Sequence, residues 1–370
     1  MKRYIKALDG MRGFAILLVI FYHYFRLNGS HPSVLGFSWI AVQMFFVQSG
    51  LLITEILLED KNRPFSQFIG RFYWRRTLRI FPVYFAYVIA FAFIYLVINK
   101  PADFGQRAPY LFTFTYNYTR LISDLNFNSI WFIHFWSLAV EEQFYWVWPI
   151  VVYYLSKRGL KWFIISALFL APLFRFWLAN YILKTGYSQE MTGEITYAFT
   201  LSQFDGFAIG AAIPVFNLRE RIKSPGKWTI ITMLIVLIIG LINYLSIKKI
   251  QPDYSITSLG ISVGEIVNLQ HVWSYSALNV FFLFITLYII KESYQGIFNH
   301  HIPVSFGKIA YGMYIFHFAI LFCVFSVDQR FIHNSIISIA LAIMICFGVA
   351  YLSYNYYEKK FLTFRNFWDK

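Results

Sequence analysis

Cysteine is nearly missing from this chain: two in 370 residues, Cys323 and Cys346, each inside a late apolar run. That pattern excludes a disulfide framework and gives no reason to expect a metal site. Charge is scarce as well. Asp, Glu, Lys and Arg make up 14% of residues, whereas a soluble domain carries about 25%, so an ordinary solvated surface is excluded for most of the chain. Acidic residues are scarcest, 18 against 32 Lys and Arg. No internal repeat is evident, which weakens the inverted-repeat logic of many transporters. The first apolar run lacks a small-residue cleavage site and carries Arg12 and His23, so it is expected to stay as a helix and not to leave as a signal peptide. Segments alternating over ~10 residues are missing too, which excludes a transmembrane β-barrel.

What the chain has instead is long hydrophobic runs, with 58% of its residues apolar. A spanning helix needs roughly 20 mainly apolar residues, and ten such runs are read at about 10–28, 36–57, 79–98, 131–155, 162–183, 197–216, 228–247, 271–290, 308–327 and 334–354. The expected fold class is therefore an all-α polytopic membrane protein of about ten transmembrane helices. With the N-terminus inside, the cytoplasmic segments 1–12, 58–79, 156–161, 217–227, 291–308 and 355–370 hold 23 of the 32 Lys and Arg residues. That asymmetry places both termini in the cytoplasm. It also accounts for the net charge of +14, so nucleic acid is not expected as a partner. The longest loops, 99–130 and 248–270, are outside and too short for a further catalytic domain. An N-x-T sequon at Asn117 matters only in a secretory eukaryotic setting.

Ionisable side chains inside spans need a reason, because a charge near the bilayer centre costs at least ~2.5–3.5 kcal/mol on insertion scales. Here they are His23, His134, Glu141, Glu142, Arg175, Asp205 and His317, with Arg12 at a membrane edge. In "LDGMRGFAILLVIFYHYF", residues 8 to 25, Arg12 and His23 are eleven apart. Eleven helical steps return to within ~20° of the same face over a rise of about 16 Å. One helix face thus carries a cation at the inner surface and an imidazole deeper in. In "HFWSLAVEEQFYWVWP", residues 134 to 149, His134 and Glu141 are seven apart, nearly eclipsed on a helix, and Ser137 and Glu141 are four apart. Two adjacent carboxylates, Glu141 and Glu142, are hard to tolerate in a span unless they line a polar cavity.

In "RFYWRRTLRIFP", residues 71 to 82, Arg75, Arg76 and Arg79 form a basic face. Arg suits bidentate phosphate binding better than Lys, although contact with anionic lipid headgroups would account for the same face. His317 falls mid-span in "GKIAYGMYIFHFAIL". Ser49 with Gly50, and Asp205 with Gly206 and Gly210, sit in small-residue breaks that also suit close helix packing. Two layers result. Arg12, Arg75, Arg76 and Arg79 form an inner layer suited to phosphates. His23, His134, Glu141 and His317 form a deeper layer suited to proton transfer, since a carboxylate orients a neighbouring imidazole and raises its basicity. A ligand with phosphates at one end and a reactive group on a long arm would touch both, and acyl-coenzyme A has that form.

The motifs resemble those of the acyltransferase-3 family of integral membrane O-acyltransferases over nearly the whole chain. "LDGMRGFAILLVIFYHY" is similar to the family's opening segment, an Arg or Lys, ten residues, then His. "FFVQSGLLIT" resembles its SGFL-type segment with Leu51 replacing Phe, and "RRTLRIFP" carries its RxxR element at Arg76 and Arg79. "WSLAVEEQFY" is similar to its WSL-x-VE-x-QFY segment, and "YGMYIFH" to a late motif, departing at Gly312 and Phe316. The resemblance implies transfer of an acyl group, commonly acetyl, from acyl-CoA to a hydroxyl of an envelope or extracellular carbohydrate or lipid-linked oligosaccharide. It implies one acyltransferase-3 domain over residues 1–370, without the SGNH-type domain that some relatives append, in a bacterial cytoplasmic membrane and in contact with its lipids.

The expected mechanism has His23 as the central catalytic group, either general base or transient acyl carrier, aided by Glu141 and His134. Arg12, Arg75, Arg76 and Arg79 would hold the CoA phosphates, and no metal is required. Ser49, Ser137, Glu142, Asp205 and His317 are further candidates. The competing reading is a proton-coupled transporter or flippase for a glycolipid or anionic solute, with the His and Glu residues as a proton relay.

Overall fold

A computed structural model describes residues 5–27, 35–101, 103–121, 129–252, 258–291 and 296–369. Residue 28 of the first expected span, and 122–128 and 253–257 of the two long outer loops, lie outside the described residues. All elements among the described residues are helical. In chain order they are α1 Lys6–Leu27, α2 Ile40–Asp60, α3 Phe65–Ile98, α4 Phe104–Phe112, α5 Phe135–Tyr154, α6 Lys157–Lys184, α7 Gln189–Ala198, α8 Phe204–Val215, α9 Leu218–Arg221, α10 Pro225–Ile250, α11 Gln270–Lys291, α12 His301–Lys308, α13 Ala310–Val327, α14 Ser335–Leu352 and α15 Lys359–Leu362, with short 3₁₀ and π-helical turns between and after them.

Eight helices among the described residues are long and apolar enough to cross a membrane, and nine if α7 and α8 count as one bent span. Ten were expected. The span expected at 197–216 is broken, with a bend of 72°. Phe199 is extended there, at φ −75° and ψ 134°, and a 3₁₀ turn Thr200–Gln203 follows. The span expected at 131–155 is the 20-residue α5, which is not among the eight. Ser137, Glu141, Glu142 and Gln143 dilute its apolar content, and much of the rest is Trp and Tyr. Where helices do face outward, the exposed side chains are apolar. Along α10, Ile230, Ile238 and Ile242 are all exposed, as suits a helix in lipid, where the backbone hydrogen bonds are met internally and the side chains need no water.

The chain divides into two units, Met1–Glu55 with Leu155–Gly307, and Ile56–Tyr154 with Lys308–Lys370. In the first, α6, α8, α10 and α11 pack side by side, and Leu51, Ile213 and Leu287 form an apolar core. Close approach there depends on glycine. A Cβ on Gly13 would stand 2.0 Å from the Pro303 carbonyl oxygen, and one on Gly10 would stand 1.8 Å from that of Phe298, so α1 lies backbone-to-backbone against α12 and the turn before it. Gly50 of α2 and Gly210 of α8 permit the same contact: a Cβ on Gly210 would be 2.0 Å from the Val47 oxygen.

In the second unit α13 packs against α14, and α3 against α4, α13 and the C-terminal turns. At 34 residues, α3 is about 51 Å long, well beyond a ~30 Å hydrocarbon layer. The basic segment expected to precede the third span is thus the first part of the same continuous helix. The following loop is tied down by the buried Arg107, which pairs with Asp103 at 2.5 Å and donates to the Tyr116 hydroxyl at 3.1 Å. Burial raises the Tyr116 phenol to about 12, with Arg107 pulling the other way.

Candidate active site

The second unit gathers three of the expected residues, His134, Ser137 and His317, where α5 begins beside α13. His134 is not on α5, which starts at Phe135, but in the turn that leads into it. The helical eclipsing expected of His134 and Glu141 therefore does not apply. Instead His134 meets α13. Its Nε2–H donates to the Ile315 carbonyl at 3.2 Å, which in the neutral ring leaves Nδ1 as an acceptor, and that atom has no hydrogen-bond partner among the described residues. The imidazole stacks on Phe318 at 5.1 Å and lies 4.7 Å from the ring of His317. His317 donates from Nδ1 to the Tyr314 carbonyl at 2.7 Å. The Tyr314 hydroxyl donates to the His134 carbonyl at 3.0 Å, and its oxygen lies 2.6 Å from Ser137 Oγ. His134, Ser137, Tyr314 and His317 are all buried. Tyr314 was not singled out from sequence, although it stands one helical turn before His317.

One to two turns further along α5 come Glu141, half-buried, and Glu142, 5% exposed. Glu142 Oε1 is buried without a hydrogen-bond partner among the described residues. Tyr84 and Tyr311 lie within its electrostatic reach, but their hydroxyls donate elsewhere, to the Leu111 carbonyl at 2.8 Å and the Ile80 carbonyl at 3.0 Å. Beyond Glu142 lies Tyr145, whose ring carries the guanidinium of Arg76 at 5.2 Å. This cation–π contact sets Arg76 apart within the basic face. Arg75 donates to the Arg365 carbonyl at 3.4 Å, Arg71 pairs with Asp60 at 3.2 Å, and Arg79 is exposed.

In the first unit, α1 carries both Arg12 and His23. Arg12 is half-buried and pairs with Asp9 at 3.1 Å, one turn back. His23 is half-buried and meets the Tyr22 ring edge-on at 5.3 Å. Ser49 is half-buried beside Gly50, at the α2–α8 contact. Asp205 is 0% exposed and forms a bidentate pair with Arg175, also 0% exposed, at 3.2 and 3.0 Å. Ser276 Oγ donates to Asp205 at 2.5 Å and Asn279 at 3.3 Å, while Arg175 donates to the carbonyls of Ser202 at 2.6 Å and Val272 at 2.8 Å. Asp205 and Arg175 thus join α6, α8 and α11, and their surroundings answer nearly every polar atom.

No group of three His, Cys, Asp or Glu side chains among the described residues is arranged to hold a metal ion, and Cys323 and Cys346 are free thiols. The helices and the buried His, Glu and Arg side chains together define a multi-pass integral membrane protein whose interior carries acid–base groups. Its family follows from comparison. The sequence model of the acyltransferase domain (Acyl_transf_3) matches residues 5–355, and the chain belongs to that family. Among curated proteins it is similar to the O-acetyltransferase OatA of Staphylococcus aureus strain NCTC 8325 / PS 47, with 26% identity over 338 residues, covering 86% of this chain and 51% of the relative. OatA of Staphylococcus aureus strain COL aligns with the same identity and coverage. The chain spans about half the length of these relatives. No solved structure matches.

Proposed function

We propose that this protein is a membrane O-acetyltransferase that moves an acetyl group from acetyl-CoA to a hydroxyl of an envelope or extracellular carbohydrate. The observation that carries the reading is the family match over residues 5–355, within which Arg12 and His23 keep the eleven-residue spacing of the opening motif. The OatA relatives, named as O-acetyltransferases, support acetyl over longer chains. The positive-inside bias supports cytoplasmic termini and a place in the bacterial inner membrane, where acetyl-CoA is at hand.

In this reading His23 takes the proton of the acceptor hydroxyl. The oxygen attacks the thioester carbonyl, the carbon–sulfur bond breaks, and CoA leaves as the thiol with a proton from the imidazolium. Arg12 and His23 belong to α1. Arg75, Arg76 and Arg79 of α3 are the groups assigned to CoA phosphates, with Arg76 held on Tyr145 as the firmest of them, and His134, Ser137, Glu141 and His317 are assigned to proton handling. Asp205 takes no part, since Arg175, Ser276 and Asn279 occupy it.

The test is transfer of label from [¹⁴C]acetyl-CoA into envelope polysaccharide by membrane vesicles containing the protein. Covalent labelling is expected from the wild type. Loss by ~10²–10⁴-fold is expected from His23→Ala, with normal membrane insertion. Solute movement without labelling would make it a transporter, and full labelling by inserted His23→Ala would remove His23 from the chemistry. An acetyl-imidazole trapped on His23 would make it the carrier instead of the base.

A further inference from the structure

Polar side chains follow one another along α5 of the second unit. Tyr145 carries the Arg76 guanidinium at 5.2 Å. Glu142 comes three residues before it, then Glu141, then Ser137 joined to Tyr314 at 2.6 Å. From Tyr145 to Ser137 is eight residues, about 12 Å along the helix axis. A cation, a carboxyl pair and a hydroxyl pair thus follow in order along α5.

Glu142 is the member of that series whose partner is missing. It is 5% exposed, its Oε1 is buried with no hydrogen-bond donor among the described residues, and the nearby Tyr84 and Tyr311 spend their protons on backbone carbonyls. A buried polar atom left unsatisfied is costly, and inside a membrane unit water is not freely at hand. A carboxyl keeps an accepting oxygen whether or not it carries a proton, so a donor answers it.

We propose that Glu142 accepts a hydrogen bond from an amide N–H of the pantetheine arm of the acyl donor. This rests on the acyl-CoA reading above. Of the chemistry that could enter beside Arg76, the arm fits best. It is extended, it begins at the pyrophosphate that an arginine binds, and it carries two secondary amides before the thioester. Ser137 and Tyr314 then stand further along the same line, toward the thioester end. Glu142 is a binding residue in this assignment and takes no part in bond making.

The experiment measures binding, not turnover, using the full chain in nanodiscs. The probes are CoA, which has the arm, and adenosine 3′,5′-bisphosphate, which has phosphates and no arm. Glu142→Leu should weaken CoA binding by about 10–100-fold, the range expected when a buried amide donor loses its acceptor, and leave the bisphosphate unchanged. Glu142→Gln keeps an acceptor oxygen and should stay within a few-fold of wild type for both. Equal CoA affinity in wild type and Glu142→Leu would overturn the assignment while leaving the acyl-CoA reading intact. Loss of both probes together, in a variant with wild-type melting, would overturn it in favour of a general role at the site. A wild type that binds neither probe would instead sink the acyl-CoA reading itself.

Discussion

Two charged centres of this molecule sit in apolar surroundings and are built in opposite ways. In the first unit Arg175 and Asp205 are both 0% exposed, bind each other twice, and draw in Ser276, Asn279 and two backbone carbonyls, so that both carboxylate oxygens are met and, of the pair's own polar atoms, Arg175 Nε alone lacks a partner among the described residues. In the second unit Glu142 and His134 are almost as deeply buried, yet each keeps an acceptor atom that no described group answers. In a membrane protein, a buried polar group that keeps an unmet acceptor is the stronger mark of a site. Where they close around the charge, the centre is a joint between helices.

The strongest way to break this comparison is Asp205→Ala. It strands the Arg175 guanidinium in the interior, and removing one partner of a buried ion pair costs about 3–5 kcal/mol. Loss of monodisperse protein in fluorescence-detected size exclusion, or a large fall in melting temperature, is expected. Wild-type melting would show that the pair is not a joint. Ser276→Ala is the intermediate case. It removes one hydroxyl from the charged pair and should cost about 1.5–3 kcal/mol, the range for hydrogen bonds to charged groups, read as a smaller fall in melting temperature with acetyl transfer retained. Tyr314→Phe should have the least effect on stability. Its hydroxyl joins neutral groups only, the His134 carbonyl and Ser137, so about 0.5–1.5 kcal/mol is expected. A melting loss from Tyr314→Phe as large as from Asp205→Ala would erase the contrast between the two units.

Much of the architecture was legible because an apolar run of span length is stable in few settings besides a bilayer. Most of the expected spans coincide with helices that pass the length and apolarity test. The break at Phe199 was not legible, because Ala198, Phe199 and Leu201 read as one apolar stretch and only Thr200 and Ser202 hint at an interruption. Nor was the reach of α3, since Arg71 through Arg79 look like a loop to any reading that equates charge with the end of a span. The candidate residues were legible one by one, as charges out of place. Their partners were not. Ser137 meets Tyr314 across 177 positions, and Asp205 meets Ser276 across 71. No spacing rule on a single helix joins residues so far apart. For the same reason Glu141 and Glu142, equal neighbours in sequence, differ in the fold, one half-buried and the other sealed.

The glycines of α1 have a mechanical consequence. With the backbone at Gly10 and Gly13 in contact with that of Phe298 and Pro303, α1 cannot slide along its axis or rotate without colliding with the main chain beside it. It is clamped near its N-terminal end, and Arg12 lies between the two clamping points. Helical geometry then holds His23 a further ~16 Å along the axis. The helix is a gauge of fixed length: a substrate that must touch both residues is selected by its own span, and a longer or shorter arm cannot be accommodated by moving the helix.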